Sequence, residues 1–176
     1  AVFVVFYLMT VFTLSWGTSR LGYSRQEFLI LQMIGVLFFA ATIPLAGWLA
    51  DRTSPRRILI IASIGMALYG LAFAPLLQAG QPGSVVLCLG LGLGLMGLGY
   101  GPLGSALASL FPTAVRYTGA SLTFNLAGII GASLTPYAAT WLATRHGLAA
   151  VGYYLAIAAL VTLAALLLMG RVSRKH

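Results

Sequence analysis

Long uncharged stretches limit the folds open to this chain more than any other feature. Residues other than Asp, Glu, Lys and Arg fill 1–19, 28–50, 58–115, 117–144 and 147–170. A helix needs about 20 predominantly apolar residues to cross the hydrocarbon core of a bilayer. Only 7% of the 176 residues are charged and 60% are hydrophobic, whereas about 25% of residues are charged in a water-soluble domain. The sequence therefore predicts a polytopic membrane protein.

The run from 58 to 115 is too long for one span, and it contains a turn signal between Pro75 and Ser84. The runs also lack the alternating pattern of barrel strands, so we expect helices, which pair their own backbone groups. An all-α fold of six transmembrane helices in one domain (1–176) follows, with spans at about 1–19, 28–50, 58–78, 84–110, 119–143 and 148–170. Pro44 and Pro136 lie at similar depths in the second and fifth spans, which favours two inverted three-helix repeats.

Basic residues are shared unequally between the two ends of the predicted bundle. One end carries Arg52, Arg56, Arg57, Arg116, Arg171, Arg174 and Lys175, and the other carries Arg20, Arg25 and Arg145. Because basic residues concentrate in cytoplasmic loops, the richer end is predicted to face the cytoplasm, as do both chain ends. The chain opens with Ala1 inside an apolar run and lacks the basic segment of a signal peptide. We therefore expect a fragment of a longer inner-membrane protein.

The residue inventory argues against several classes of function. The formal net charge is +8, but the basic residues form no stripe with interleaved aromatics, so nucleic acid is not an expected partner. Cys88 is the one cysteine, and it has neither a disulfide partner nor nearby metal ligands in sequence. The chain also lacks an H-E-x-x-H motif and a pair of carboxylates for acid–base chemistry. We predict no catalytic residue, no metal and no cofactor.

A glycine-rich segment occupies 90–104 and contains G-x-G-x-x-G twice. A dinucleotide site would need an acidic residue further on, yet none follows Asp51. The Gly90/Gly94 and Gly97/Gly101 pairs instead predict close packing against another helix. Pro102 is expected to kink this helix, and a role of the kink in gating remains open.

Neutral polar residues are the candidates for lining a cavity, because no ionisable residue falls inside a predicted span. A proton relay would need Asp, Glu or His at depth, so a coupling carboxylate is not expected in this chain. An amide at depth needs a partner on another helix or a wet cavity. The candidates for the cavity are Tyr7, Thr10, Gln32, Tyr100 and Asn125.

Two loops carry motifs that identify a family resemblance. The first is similar to G-x-L-x-D-R-x-G-R-R and the second to E-x-F-P-T-x-x-R-Y-T-G-A. The matching residues are Gly47, Leu49, Asp51, Arg52 and Arg56 in the first loop, and Phe111, Pro112, Thr113, Arg116, Tyr117, Thr118, Gly119 and Ala120 in the second. The departures are Ser54, Pro55 and Ser109. On these loops the chain resembles the C-terminal half, helices seven to twelve, of a major facilitator superfamily transporter of the metabolite:proton symporter family.

The resemblance implies secondary active transport by alternating access, with a small polar carboxylate or zwitterion as substrate and a proton as coupling ion. It implies that a six-helix N-terminal half completes the protein. It also assigns Asp51, Arg52, Arg56 and Arg116 to loops that hold the cytoplasmic gate shut, although Ser109 replaces an expected glutamate partner. The alternative is a half-length membrane protein that forms a homodimer, or an inactive fragment.

Overall fold

The computed structural model describes residues 1–172, with side chains placed as far as Met169. Across these residues six helices are long and apolar enough to cross a membrane, and no strand is present. They are α1 (Val2–Arg20), α2 (Arg25–Arg52), α3 (Pro55–Gln78), α4 (Pro82–Ala108), α5 (Arg116–His146) and α6 (Leu148–Val172). The predicted six-helix bundle is confirmed. Arg174, Lys175 and the side chain of Arg171, which enter the predicted charge asymmetry, lie outside the described residues.

Several helices extend a few residues beyond the predicted spans, because polar caps set their ends. Ser24 and Glu27 form a capping box at the start of α2, with the Ser24 amide 2.9 Å from Oε2 of Glu27. The Ser54 hydroxyl accepts the Arg57 amide at 3.2 Å, and Pro55 opens α3. The sequence predicts the second span and the start of the third to stop at the flanking charges, whereas both helices continue into the polar interface.

The loops alternate between two ends of the bundle. The connections after α1, α3 and α5 lie at one end, which we call the Tyr23 end, and those after α2 and α4 lie at the Asp51 end. At the Tyr23 end, the hydroxyl of Tyr23 donates to the Gly80 carbonyl at 2.7 Å, where Gly80 turns the chain at φ +65°. Partial burial, and secondly the Glu27 carboxylate, raise the pKa of Tyr23 above its ordinary value of 10.0. The hydroxyl therefore keeps its proton and remains a donor.

Glycines allow α4 to approach α2 closely. A Cβ at Gly97 would lie 2.8 Å from the Phe39 carbonyl oxygen, and one at Gly101 would lie 2.8 Å from that of Ile43. These distances confirm the packing role predicted for the glycine pairs. A turn at Gly101 and Pro102 then divides α4 into Pro82–Tyr100 and Leu103–Ala108, so the predicted break is present as well.

A second close contact joins α3 to α6, again through glycine. Gly70 and Gly152 face each other, so that neither position has room for a side chain. Helices α3 and α4 are the most deeply buried, whereas α2 and α5 leave most of their apolar side chains exposed. The core therefore lies around α3 and α4, and the open faces belong to α2 and α5.

One turn of α1 departs from α-helical geometry. Residues Leu8–Phe12 are π-helical, and the Thr13 amide donates to the Leu8 carbonyl five residues earlier. In a continuous α-helix that amide would bond to Met9, four residues earlier. The π turn therefore releases the Met9 carbonyl for another donor, and π turns of this kind are frequent at functional sites.

Candidate functional site

Aromatic side chains from three helices surround Phe124 on the open side of the bundle. The ring centroid of Phe124 is 5.1 Å from that of Phe3 and 6.2 Å from that of Tyr100, both edge to face. Tyr7 and Asn125 line one pocket together with Phe124. We call Phe3, Tyr7, Tyr100, Phe124 and Asn125 the Phe124 cluster. It brings together three of the five predicted cavity residues, namely Tyr7, Tyr100 and Asn125.

A cleft continues from the Phe124 cluster toward the Asp51 end. It encloses about 580 Å³ between the second part of α4 and the start of α5, and its wall includes Arg116, Ser121 and Asn125. The Asn125 amide donates to the Ser121 carbonyl at 2.8 Å, which holds the exposed side chain along the helix. Ser121 and Asn125 are one helical turn apart and share a face, so α5 presents a polar stripe to the cleft.

The other two predicted residues lie elsewhere. The Thr10 hydroxyl donates to the Phe6 carbonyl at 2.6 Å, and Thr10 borders a separate groove that leads to Arg25 at the Tyr23 end. Gln32 is only 8% exposed. Its amide donates to the Met9 carbonyl at 2.8 Å and to that of Thr10 at 3.0 Å. A buried amide needs hydrogen-bond partners on another helix, and Gln32 has them on α1. It packs against α1 and does not border the cleft.

The basic residues of the loop after α2 contact groups within this chain. The Arg52 guanidinium lies 4.2 Å from the ring centroid of Trp48. Nε of Arg56 donates to the Leu166 carbonyl at 2.9 Å, near the end of α6. Asp51 is exposed at the same end. The two arginines are thus turned to an indole and to a helix terminus, which leaves the Asp51 carboxylate open to a group approaching from outside the bundle.

Arg116 begins α5 and is exposed on the wall of the cleft. Its Nε donates to the Phe111 carbonyl at 3.3 Å, so the loop between α4 and α5 is folded back onto its own arginine. The position places a permanent positive charge where the cleft opens at the Asp51 end. An anionic group that enters the cleft there would meet this charge first.

Phe3 and Phe124 are the cluster residues that sequence reasoning missed, and Phe124 is the central one. It is the one aromatic side chain between Tyr117 and Tyr137 in a segment rich in small and aliphatic residues, directly before Asn125. A bulky ring beside a polar amide in such a segment is a sequence signal that could identify this residue. Selecting polar groups at depth leaves it out, because phenylalanine is ordinary in a membrane span.

A recurring tryptophan–arginine spacing was also missed. All three tryptophans are followed four residues later by an arginine whose guanidinium lies over the indole ring, at 4.2 to 5.7 Å from its centroid. The pairs are Trp16/Arg20, Trp48/Arg52 and Trp141/Arg145. Tryptophan is enriched at membrane interfaces, and one pair or more marks each end of the bundle.

In the described part of the chain, no group of three or more His, Cys, Asp and Glu side chains could hold a metal ion. The functional groups of the cleft are aromatic rings, an amide, hydroxyls and one guanidinium. They offer aromatic faces, hydrogen-bond donors and acceptors, and one permanent positive charge.

Comparisons with known proteins identify the relatives of this chain. The sequence profile of the major facilitator superfamily matches residues 1–132. The inner membrane metabolite transport protein YhjE of Escherichia coli is 48% identical over 96% of this chain and 39% of its own length. A putative metabolite transport protein of Haemophilus influenzae is 37% identical over 95% of the chain and 41% of its own length.

A glycine betaine/proline/ectoine/pipecolic acid transporter, OusA of Dickeya dadantii, is 30% identical over 98% of the chain and 34% of its own length. The chain therefore spans about two fifths of the length of the curated relatives that it matches. No solved structure matches it.

Proposed function

Because this chain belongs to the major facilitator superfamily, we propose that it forms the C-terminal half of a secondary transporter that works by alternating access. The similarity to longer proteins named as metabolite transporters supports this proposal. In the proposal a second six-helix half covers the apolar faces that α2 and α5 leave exposed. Substrate then binds near the midplane between the two halves, as in other transporters built from repeats.

The Phe124 cluster is the observation that carries the proposal. It combines aromatic rings with an exposed amide on the open side of the bundle, and it continues into a cleft that extends toward the Asp51 end. A path from a midplane site to one interface is what alternating access requires of each half. The buried core, by contrast, is packed by apolar side chains, among them Phe28 and Phe73, and by glycine.

The chemistry of the cluster favours a small zwitterion, within the broader class of small polar carboxylates and zwitterions. The rings of Tyr7, Tyr100 and Phe124 suit a cationic group, because the face of an aromatic ring attracts cations. The Asn125 amide and the Arg116 guanidinium can donate to a carboxylate. OusA is named for glycine betaine, proline, ectoine and pipecolic acid, which are small zwitterions, and this similarity supports the choice.

Proton symport and orientation complete the proposal. We assign the Asp51 end to the cytoplasm, following the distribution of arginine and lysine in the loops. The proton would be carried by ionisable groups of the other half, because the spans of this chain offer none at depth. In this proposal, Asp51 and Arg116 meet that half at the cytoplasmic gate. Arg52 and Arg56 support the gate loop through Trp48 and α6.

Uptake by the full-length protein in proteoliposomes tests the function. We expect an inward proton gradient to drive accumulation of radiolabelled proline or glycine betaine, and a protonophore to abolish it. Malate, which has no cationic group, serves as the comparison for the substrate class. Failure to accumulate any of the three under a proton gradient, with correctly inserted protein, would contradict symport of this class.

A variant connects transport to the Phe124 cluster. Phe124→Ala removes one ring and is expected to raise KM for glycine betaine about tenfold. Tyr153→Ala is the matched control, because Tyr153 is an exposed aromatic residue on α6 that does not border the cleft. Equal KM values for the two variants would remove Phe124 from the site.

A further inference from the structure

The buried amide of Gln32 and the π turn of α1 meet at one point in the bundle. We infer that Gln32 is a positioning residue: by bonding the carbonyls of the π turn, it fixes which face of the first part of α1 is turned toward the open side. The transport measurement that tests this role rests on the proposed function, whereas the hydrogen-exchange and labelling measurements do not.

The hydrogen bonds at the π turn show why an external donor is needed. The Thr13 amide bonds to Leu8, so the Met9 carbonyl takes its donors from side chains instead. These donors are the Thr13 hydroxyl at 2.6 Å and Nε2 of Gln32 at 2.8 Å. The same Nε2 lies 3.0 Å from the Thr10 carbonyl. A buried carbonyl without a donor is costly in an apolar interior, so the π turn depends on these side chains.

The opposite side of the π turn is held by packing and a weaker polar contact. The Tyr69 hydroxyl lies 3.4 Å from the Met9 sulfur and donates to the Cys88 carbonyl at 2.7 Å. Met9 also fills the space where Gly92 has no side chain. The turn is therefore enclosed by α2, α3 and α4, and Gln32 is the contact that supplies N–H groups to the released carbonyl.

The consequence for the site is geometric. Closing the π turn into a regular α-helix would remove a one-residue offset, which rotates the preceding segment by about 100° relative to the rest of α1. That segment carries Phe3 and Tyr7, two members of the Phe124 cluster. Gln32 thus acts on the cluster through α1, although it is buried and does not border the cleft.

Gln32→Met in the full-length protein tests this role, since methionine keeps the length of the side chain and cannot donate. We expect amide hydrogen exchange across residues 9–14 to accelerate about tenfold, while exchange in α4 stays unchanged. Maleimide labelling of a cysteine placed at position 7 (Tyr7→Cys) is expected to slow several-fold, because that face turns inward. Gln26→Met, in the exposed first turn of the same helix, is the matched control and should change neither quantity.

A transport measurement separates positioning from general destabilisation. In Gln32→Met we expect KM for glycine betaine to rise about tenfold, with the maximal rate within about twofold of wild type. Gln32→Asn, which keeps the amide, should recover part of the affinity. If Gln32→Met does not fold, Thr13→Val removes the other side-chain donor to the Met9 carbonyl and should move exchange and labelling in the same direction.

Unchanged exchange at residues 9–14 together with unchanged labelling at position 7 would overturn the inference. A fall in maximal rate at constant KM would overturn it too, because it would indicate less active protein rather than a displaced site. If the wild-type protein transports none of the probes, the proposed function fails on its own. Exchange and labelling then still decide whether Gln32 orients α1.

Discussion

Gly70 and Gly152 meet backbone to backbone where α3 crosses α6. A Cβ at Gly70 would lie 2.6 Å from the carbonyl oxygen of Gly152, and a Cβ at Gly152 would press on the carbonyl oxygen of Gly70. Backbone atoms cannot move aside as the tip of a flexible side chain can. The contact therefore fixes the distance between the two helices.

Gly152→Ala is expected to destabilise the bundle by about 2 kcal/mol, as overpacking of a tight contact does. Thermal unfolding of the purified protein in detergent would show the loss as a midpoint lower by about 5 °C. Gly83→Ala is the control, because a Cβ there meets no atom within 4 Å. Equal midpoints for the two variants would mean that α6 shifts without cost.

Tyr23→Phe removes the hydrogen bond that joins the two loops at the Tyr23 end, and we expect it to cost about 1 kcal/mol. The raised pKa of Tyr23 gives the sign of its pH dependence. A raised folded pKa means that this stability is present below the ordinary value of 10.0 and is lost as pH rises above it. The difference in unfolding free energy between wild type and variant should therefore be constant from about pH 7 to 9 and shrink as the pH rises above 10.0. A difference that does not change above that pH contradicts the assignment.

Arg56→Met should free the end of α6, because Arg56 donates to the Leu166 and Leu167 carbonyls. These bonds lie partly in solvent, so we expect a loss of about 1 kcal/mol rather than the larger value of a buried charge. Limited proteolysis near the end of α6 would accelerate. Arg57→Met, an exposed neighbour, controls for the lost charge. The stability of Arg56→Lys is expected to lie between the stabilities of Arg56→Met and Arg57→Met.

Asn125→Leu keeps the side-chain volume and removes the amide from the cleft wall. We expect KM for the transported substrate to rise about tenfold, with normal membrane insertion. Thr140→Val, another exposed polar position on α5 whose hydroxyl bonds its own helix at 2.8 Å, should leave KM unchanged. Uptake kinetics identical to wild type in Asn125→Leu would exclude Asn125 from the site.

Asp51→Asn tests the proposed cytoplasmic gate. Without the carboxylate, the pairing with the other half weakens, and the population shifts toward the inward-open state. A cysteine in the cleft (Ser121→Cys) should then react about threefold faster with a membrane-impermeant reagent from the cytoplasmic side. Glu27→Gln, which removes the other acidic residue at the opposite end, should not alter this rate. An unaltered rate in Asp51→Asn contradicts the gate assignment.

The helices could be predicted from the sequence because membrane spans are set by length and polarity, both of which can be read directly. Their ends could be placed only to within a few residues, since caps such as Ser24 and Ser54 lie beyond the first charge. The glycine contacts of α4 with α2 were predictable from spacing. The Gly70/Gly152 contact was not, because only the tertiary structure brings these two glycines together.

The site was predicted less completely. Tyr7, Tyr100 and Asn125 could be selected as polar groups at depth, but their meeting at Phe124 depends on how α1, α4 and α5 cross. The position of Gln32 depends on the π turn, and a one-residue insertion in an apolar helix leaves no periodic signature that could reveal it. The contacts of Arg52 and Arg56 were missed because the loop motif suggested ionic partners in a gate rather than Trp48 and α6.

The contact between Arg56 and the end of α6 also sets an order of events during biogenesis. Arg56 and Leu166 are separated by 110 positions in the chain, and ribosomes add about 5–20 residues per second. Helix α3 therefore waits in the membrane for about ten seconds before its partner is synthesised. The contact between α3 and α6 can therefore close only after α6 has left the translocon.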